Sequence, residues 1–366
     1  MKNKIAILGT NGLPGRYGGW DQLMEHLTQK LARKYDLIVY CSELKGNKKH
    51  KTHNDARLVY VSLKANGWQS VFYDVICSIH AIFYADTMLL LGGAGTLMFP
   101  IFRLFGKKII YHPDGIEWER KKWSRWVQLY LKWLEKIGIR WSSTIISDNV
   151  EIRGYIKNVY GKSSVLIEYG GDHVSSVSLS LDTKKLYNIE HGSYAFKVCR
   201  IEPENNLDLI LESFSESAVK LIIVGNWENS SYGKNLRKKY LAVQNIFMLD
   251  PIYDQLKLDE LRSNCGVYVH GHSVGGTNPS LVEAMCLGLS VLSFDVSFNR
   301  ATTGHSAVYF KDVDELSELL NIFSMNNIFF KDVGLKLKKI AMEKYLWVNI
   351  ISKYDLVFEE KWELMR

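Results

Sequence analysis

The sequence has 366 residues, which is enough for two domains of about 150 residues each. A composition of 47% hydrophobic and 23% charged residues is typical of a folded globular chain and excludes disordered, collagen-like and coiled-coil classes. The 46 lysines and arginines exceed the 39 aspartates and glutamates, so the net charge of +7 favours anionic partners such as phosphates, nucleotides or acidic lipids. The 5 cysteines are scattered and form no CxxC pair, which indicates a reducing compartment and neither a disulfide framework nor a zinc site.

The N-terminal half is predicted to alternate strands with helices. Apolar runs that are typical of buried strands lie at residues 5–8, 37–40, 58–61, 87–91, 108–111 and 144–147. Residues 75–105 contain only two charged residues, Asp86 and Arg103. Glycines and Pro100 divide this stretch into pieces too short to cross a bilayer. We interpret it as an amphipathic helix, a buried strand, a glycine turn and a further helix.

The C-terminal half repeats this alternation, with strand-like runs at residues 194–198, 220–224, 246–248, 267–269, 290–293 and 307–310. Strands that alternate with helices predict βαβ units and parallel sheets. Two such series predict an α/β protein of two Rossmann-like, doubly wound domains that face each other across a central cleft. The polar, serine-rich segment 172–192 separates the two series, although an ordinary long loop inside one domain is the alternative.

A glycine-rich loop at residues 9–19 follows the first predicted strand and precedes a predicted helix at residues 20–35. Glycines permit close backbone approach, and the helix N-terminus presents N–H groups to an anion. The loop has neither the GxGxxG pattern nor a P-loop lysine, so dinucleotide and P-loop interpretations are weak. Simple turn formation is the alternative.

A second loop connects the strand at residues 267–269 to a helix that begins near Pro279. Its N–H groups suit a diphosphate, and Glu283, one turn inside the helix, is placed to accept hydrogen bonds from ribose hydroxyls. The alternative gives Glu283 an exposed helical position. Arg200 follows the strand at residues 194–198, where ligands of open α/β sheets usually bind. A surface salt bridge to Glu202 or Glu204 is the alternative for Arg200.

Basic and aromatic residues are interleaved along residues 117–141. This pattern is typical of a helix that rests on an anionic membrane surface. A core helix with a solvated basic face fits equally well. No recognition module accompanies the charge, so we expect no nucleic acid partner.

At these positions the sequence resembles the retaining, nucleotide-sugar-dependent glycosyltransferases of family 4, which have the GT-B fold. Its nearest resemblance is to a bacterial subgroup of rhamnosyltransferases in surface-polysaccharide assembly. The motifs are GTNGLPGRYGG at residues 9–19, DGIEWER at 114–120 followed by Lys122 and Trp123, RIEPENN at 200–206 and GGTNPSLVEAM at 275–285. The ending WVNIISKY at residues 347–354 resembles the closing helix of the family.

The resemblance implies an acceptor-binding domain over residues 1–185 and a donor-binding domain over residues 186–348, with a C-terminal helix at 349–366 packing back on the first. It assigns catalysis to Arg200, Asp114 and Glu283. The implied donor-binding residues are Gly18, Gly19, Arg200, Asn205, Gly275, Gly276, Thr277, Asn278, Pro279, Ser280 and Glu283. Further phosphate or acceptor contacts are expected from Arg16, His112, Glu117 and Arg300.

Two positions depart from the wider family. Its two glutamates lie eight positions apart, but the position eight before Glu283 is Gly275. Its usual lysine, five residues after the phosphate-binding arginine, is Asn205. Because the nearest subgroup shares both changes, we interpret them as specialisation, with the sugar held by backbone N–H groups of residues 275–278 and by Thr277.

The expected reaction is transfer of L-rhamnose from dTDP-L-rhamnose to a lipid-linked oligosaccharide of O-antigen, capsule or exopolysaccharide synthesis. UDP- or GDP-linked glucose, N-acetylglucosamine, mannose or fucose are alternative donors. A sugar-nucleotide epimerase lacks its paired carboxylate signature here, and a catalytically silent binding protein is disfavoured by the presence of Arg200 and Glu283. We expect no cofactor and no metal, because the sequence shows neither a metal-ligand cluster nor the Asp-x-Asp motif of metal-dependent transferases. Asp312 and Asp314 have that spacing, but they begin a predicted helix and are interpreted as its cap. The expected location is cytoplasmic, peripheral on the inner face of the bacterial cytoplasmic membrane.

Overall fold

A computed structural model of the protein describes residues 2–15, 18–43, 50–120, 122–325 and 328–365. The chain divides into two compact units. The first comprises Met1–Glu168 together with Val348–Arg366, and the second comprises Tyr169–Trp347. Each unit is built on its own, mostly parallel sheet.

The first unit is a sheet with helices between its strands. Its strands are β1 (Lys4–Leu8), β2 (Asp36–Ser42), β3 (Thr52–His53), β4 (Ala56–Val61), β5 (Thr87–Leu91), β6 (Lys108–His112), β7 (Thr144–Ser147) and β8 (Val165–Leu166). Its helices before the boundary are α1 (Gly19–Leu31), α2 (Ser70–Tyr84), α3 (Phe99–Leu104), α4 (Arg125–Trp141) and α5 (Val150–Tyr160). Among the described residues the strand order is β3-β4-β2-β1-β5-β6-β7-β8, and the pairs are parallel except β3 with β4.

The second unit repeats the design with a parallel sheet. Its strands are β9 (Tyr194–Val198), β10 (Lys220–Val224), β11 (Ile246–Leu249), β12 (Val267–His270), β13 (Val291–Phe294) and β14 (Val308–Phe310). Its helices are α6 (Leu181–Tyr187), α7 (Leu207–Ser215), α8 (Ser231–Tyr240), α9 (Gln255–Ser263), α10 (Pro279–Leu287), α11 (Ser297–Thr302), α12 (Val313–Met325) and α13 (Ile328–Lys344). The strand order is β11-β10-β9-β12-β13-β14 over the part of the chain described. The last helix, α14 (Trp347–Phe358), spans the boundary between the units and lies almost entirely in the first.

Both faces of each central strand are covered, which explains the continuous apolar runs in the sequence. All five residues of β5 are buried. In β9, Ala195 belongs to one apolar core, whereas Tyr194 and Phe196 belong to the core on the opposite side of the sheet. This alternation follows from the two-residue period of a strand.

The predicted strands all occur, and β5, β7, β9 and β10 have the predicted bounds. The two-residue strands β3 and β8 were not predicted, because they are too short to carry an apolar pattern. No helix in the described ranges is long and apolar enough to cross a membrane.

The compact units divide at residue 168, before the predicted boundary at residue 185. The intervening segment is tied to α9 of the second unit: the N–H of Ser175 donates to Asp259 over 2.9 Å, and the amide of Asn264 donates to the carbonyl of Val177 over 2.7 Å. Helix α14 is tied to the first unit, where Asp355 accepts a hydrogen bond from Lys34 over 2.7 Å.

A buried carboxyl group of α2 in the first unit has a strongly raised pKa. Asp74 of α2 is 3% exposed, and its Oδ1 has no hydrogen-bond partner among the described residues. Burial raises the pKa of Asp74 to about 8. Because the unfolded chain ionises this group at much lower pH, stability falls as the pH rises towards the folded-state value.

We therefore predict that Asp74→Asn raises the melting temperature at pH 8 by about 5 °C or more, since several kcal/mol of unfavourable ionisation are removed. The gain is expected to shrink as the pH is lowered to 5. Thermal unfolding at both pH values measures it, with Asp86→Asn as the control at an exposed aspartate. A melting temperature at pH 8 equal to or below that of the unmodified protein contradicts the prediction.

Candidate functional site

The second unit brings two predicted motifs together at the carboxyl edge of its sheet. β9 and β12 are neighbouring parallel strands, so the segments that follow them meet at one edge. The turn at residues 200–206 follows β9, and the loop at residues 271–278 leads from β12 into α10. Asn206 donates its side-chain amide to the carbonyl of Gly271 over 2.8 Å, and the N–H of Ser273 donates to the carbonyl of Glu204 over 2.8 Å.

The start of α10 is capped from within the loop. Asn278 is the N-cap, and its side-chain oxygen accepts from the N–H of Ser280 over 3.1 Å and from the Ser280 hydroxyl over 2.8 Å. Pro279 occupies the first turn. The side chains of Asn278 and Ser280 thus hold the loop, and their contact with a donor stays a prediction.

Backbone N–H groups remain available in the same loop. Within the described ranges, the amides of Gly275 and Gly276 have no acceptor, and Gly275 and Thr277 are buried. Gly275 has a φ of +120°, a conformation that L side chains rarely adopt. Two amides next to a helix N-terminus form a site that favours an anion.

Arg200 is exposed, and its guanidinium makes no ion pair with any described residue, so the alternative salt bridge to Glu202 or Glu204 is not formed. Its carbonyl accepts from the side-chain amide of Asn205 over 2.9 Å. Asn205 is itself buried. It therefore supports the turn that carries Arg200, and its predicted contact with a donor stays untested.

Glu283 does not have the exposed position that was the alternative for it. Its side chain is 12% exposed, with one carboxylate oxygen 2.7 Å from Nη1 of Arg262 and the other 3.2 Å from Nε2 of His173. Burial alone raises the pKa of Glu283, but Arg262 and His173 outweigh it and hold the pKa below its usual value. Its predicted contact with ribose stays a prediction.

The sequence analysis missed several polar residues of this region. Arg262 and His173 are distant from Glu283 in sequence, and no local pattern marks them. Lys197 of β9 is fully buried beside the carbonyl of Val269, and burial lowers its pKa. Burial and then Lys197 lower the pKa of His270, whose Nε2 has no partner among the described residues. The sequence signal for this buried polar group was Lys197 itself, a lysine in the otherwise apolar run of β9.

Arg300, predicted as a further phosphate contact, already has partners. Its Nη2 donates to Asp295 over 2.9 Å, and its guanidinium lies 4.1 Å from the ring centre of Tyr309. Arg16, the other predicted cation, lies outside the described residues.

In the first unit, α1 holds the glycine loop. Asp21 accepts from the N–H of Asn11 over 3.1 Å. At Gly9, which has a φ of +86°, a Cβ would lie 1.9 Å from the carbonyl of Leu91, so this glycine serves the fold. Gly18 also has a positive φ, but a Cβ there would meet nothing within 4 Å, and Gly19 begins α1. Among Gly9, Gly12, Gly15 and Gly18, Gly18 is the one with open space beside it.

An Arg120-centred charge cluster follows β6. Arg120 is buried; its Nη2 lies 3.3 Å from Asp114 and its Nε lies 2.6 Å from Glu117. Burial raises the pKa of Glu117 to about 7, against the opposing effect of Arg120. Asp114 is exposed, so its carboxylate is held by Arg120 and open to solvent.

His112, at the end of β6, is kept neutral. Burial lowers its pKa to about 3. Its Nδ1 lies 2.8 Å from the hydroxyl of Tyr354, and its Nε2 has no partner within the described part of the chain. His112 therefore offers one unused ring nitrogen close to Asp114 in the sequence.

The described residues contain no group of three or more histidines, cysteines, aspartates or glutamates that can hold a metal ion. Asp312 accepts from the N–H of Glu315 over 2.9 Å at the start of α12. This contact agrees with the cap proposed for Asp312, and independence from metals stays a prediction.

Two family models match the chain. Residues 2–172 match a family described as a domain of unknown function, DUF1972. Residues 182–334, a stretch that includes Arg200 and Glu283, match the family of glycosyl transferases group 1. No curated protein sequence matches the chain.

Solved structures resemble almost the whole chain. Sucrose-phosphate synthase from Thermosynechococcus elongatus gives a TM-score of 0.82 at 13% identity, over 98% of this chain and 99% of that chain. HepE from Anabaena, solved with UDP-glucose, gives 0.78 at 13% identity, over 98% and 99%. WaaG, a glycosyltransferase involved in lipopolysaccharide biosynthesis, gives 0.73 at 13% identity, over 96% and 99%. These likenesses show the GT-B fold.

The matched domain and the fold together support a GT-B glycosyltransferase. In this glycosyltransferase the group 1 domain contains the loop at residues 271–278, the exposed arginine and the buried glutamate. Membership of family 4 and of its rhamnosyltransferase subgroup stays a prediction.

The pair of Arg262 and Glu283 gives a prediction on stability. Arg262→Met leaves the Glu283 carboxylate buried without its closest cation, so we expect a loss of about 3 kcal/mol or more in the free energy of unfolding. Urea unfolding measures it. As a control, Arg237→Met removes a surface pair with Asp250 and is expected to cost less than about 1 kcal/mol. Equal, small losses for both variants contradict the prediction.

Proposed function

We propose that the protein is a retaining glycosyltransferase that moves L-rhamnose from dTDP-L-rhamnose to a lipid-linked oligosaccharide of bacterial surface-polysaccharide synthesis. One observation carries the proposal of a nucleotide-sugar donor. The exposed guanidinium of Arg200 belongs to a turn that is hydrogen-bonded to the loop whose Gly275 and Gly276 amides have no acceptor among the described residues. A cation and two N–H groups without an acceptor, on segments that are hydrogen-bonded to each other, match the chemistry of a diphosphate.

In this proposal the diphosphate is the leaving group, and its charge grows as the glycosidic bond breaks. Arg200 and the amides of Gly275 and Gly276 are fixed donors that stabilise this charge. Glu283 binds the ribose, with Arg262 and His173 keeping it ionised. Because no carboxylate is recognised as a covalent nucleophile, we propose a front-face reaction in which the diphosphate helps to deprotonate the acceptor.

The choice of rhamnose rests on the resemblance of the motifs and on Gly275. The positive φ of Gly275 disfavours the glutamate that the wider family has there. A sugar bound without that carboxylate fits a donor that lacks the usual hexose contacts. HepE, with a similar fold, was solved with UDP-glucose, so a UDP- or GDP-sugar is the rival donor.

We propose that the first unit binds the acceptor. In this proposal Asp114 orients an acceptor hydroxyl, which is supported by its exposure and by its contact with Arg120. Glu117 and His112 lie in the same segment. A lipid-linked acceptor requires contact with a membrane, so the proposed location is the inner face of the bacterial cytoplasmic membrane, with α4 as a contact. The reaction is proposed to need no divalent metal.

Arg200 tests the diphosphate site. Arg200→Ala is expected to lower kcat by about 100-fold or more, because a donor to the developing charge is lost. Arg200→Lys is expected to give an intermediate loss, since the bidentate fork is missing. The donor KM should change less than kcat. Arg237→Ala, at a surface arginine of the same unit, is the control and should leave kcat unchanged. If the kcat of Arg200→Ala stays within about twofold of that of the unmodified enzyme, the prediction is wrong and another cation binds the diphosphate.

A donor screen tests the sugar. Purified protein and a lipid-linked acceptor are incubated with each nucleotide sugar in the presence of EDTA, and the product is weighed by mass spectrometry. A deoxyhexose increment with dTDP-L-rhamnose is the expected result. A hexose or N-acetylhexosamine increment contradicts dTDP-L-rhamnose as the donor. An isomerised nucleotide sugar without any transfer favours the epimerase. Activity that returns only when Mg²⁺ or Mn²⁺ is added contradicts metal independence.

A further inference from the structure

The exposed surface of α2 is apolar along its whole length. Phe72, Ile76, Ile79 and Phe83 follow one another at spacings of four, three and four residues, so they share one face of the helix. Phe72 is 59% and Phe83 is 73% exposed. Trp68, just before the helix, is 77% exposed and packs edge-on against Phe72. A helix of a globular unit normally turns such a stripe towards its core.

Two neighbouring helices extend this surface. Leu104 at the end of α3 is 85% exposed, and Trp126 in the first turn of α4 is 82% exposed. The turn at residues 94–98 joins the helices: a Cβ at Gly95 would lie 3.2 Å from Asp74 of α2, and the Thr96 hydroxyl donates to a carbonyl of α4 over 3.0 Å. We call the exposed apolar side chains of α2, α3 and α4 the apolar face. Monomeric proteins rarely expose so many large apolar side chains in adjoining elements.

The exposed charged residues of α2, α3 and α4 are all of one sign. The only acidic residue of α2, Asp74, is buried, and so is the only acidic residue of α4, Glu135, which accepts from the hydroxyl of Tyr155 over 2.7 Å. The exposed charged residues of α4 are all basic: Arg125, Lys132, Lys136 and Arg140. An apolar surface bordered by cations is complementary to a bilayer that contains anionic lipid.

We propose that the apolar face inserts into the boundary between headgroups and acyl chains of an anionic bilayer, while the basic residues of α4 contact the headgroups. This inference deepens the membrane contact of the proposed function by naming its surface. It also changes the salt dependence that we expect for membrane binding. Helix α4 alone, as an electrostatic contact, would release in high salt, whereas inserted side chains of α2 and α3 retain the protein there.

A second copy of the chain is a less suitable occupant. A two-fold contact through the same surface would bring together two surfaces whose exposed charged residues are all basic. These cations would repel each other, because none of the three helices exposes an acidic residue to pair with them.

Vesicle flotation with the full chain tests the proposal. The vesicles are phosphatidylcholine alone or phosphatidylcholine with 30% phosphatidylglycerol, at about 0.1 M and about 1 M NaCl. The variant Trp68→Gln/Phe72→Gln/Phe83→Gln removes exposed side chains of α2 and its approach without a change of charge. The matched control, Leu181→Gln/Leu186→Gln/Leu241→Gln, removes three side chains of the second unit that are 71%, 70% and 75% exposed.

The unmodified protein is expected to bind anionic vesicles and to stay bound after the salt is raised. The α2 variant is expected to bind at least tenfold more weakly and to be released by salt, with an unchanged melting temperature, and the control is expected to bind normally. Calorimetric binding of a nucleoside diphosphate should be equal in all three proteins, which separates this test from that of the donor site. The proposal is overturned if the α2 variant binds vesicles like the control, if no protein binds either vesicle, or if sedimentation shows a dimer that only the α2 variant lacks.

Discussion

The candidate donor site depends on a close approach between two backbones at the edge of the second sheet. A Cβ at Gly271 would lie 2.2 Å from the carbonyl oxygen of Asn205, so only glycine lets the loop after β12 reach the turn after β9. The hydrogen bond from Asn206 to Gly271 holds the two segments together. As a result, the turn that carries Arg200 is fixed against the loop that presents the Gly275 and Gly276 amides.

The rest of the second unit supports this junction. The side chains of Asn278 and Ser280 are occupied by the cap of α10. The Gly275 and Gly276 amides, which precede the cap, remain available to a ligand. The buried carboxylate of Glu283 is fixed from α9 by Arg262, so the first turns of α10 are joined to a neighbouring helix as well as to the sheet. A rigid arrangement of this kind orients donors before a charge develops.

The strands could be predicted from the sequence, because buried parallel strands have unbroken apolar runs. The positions of the loop and of Arg200 could be predicted as well, because ligands of such sheets bind at the carboxyl ends of the strands. The sequence was insufficient for the partners of Glu283, because Arg262 lies on another helix and pairs by tertiary packing. The pairing of Arg300 with Asp295 and Tyr309 likewise depends on side-chain directions. Helix α2 was predicted as amphipathic, but its sequence is apolar on both its buried and exposed faces, and only the structure separates them.

A crystal structure of the protein with dTDP tests the central claim most directly, because it locates the diphosphate without relying on turnover. The account predicts phosphate oxygens within hydrogen-bond distance of the Gly275 and Gly276 N–H groups and of the Arg200 guanidinium, with the ribose near Glu283. A diphosphate bound elsewhere, with Arg200 and both amides free of it, would contradict the account.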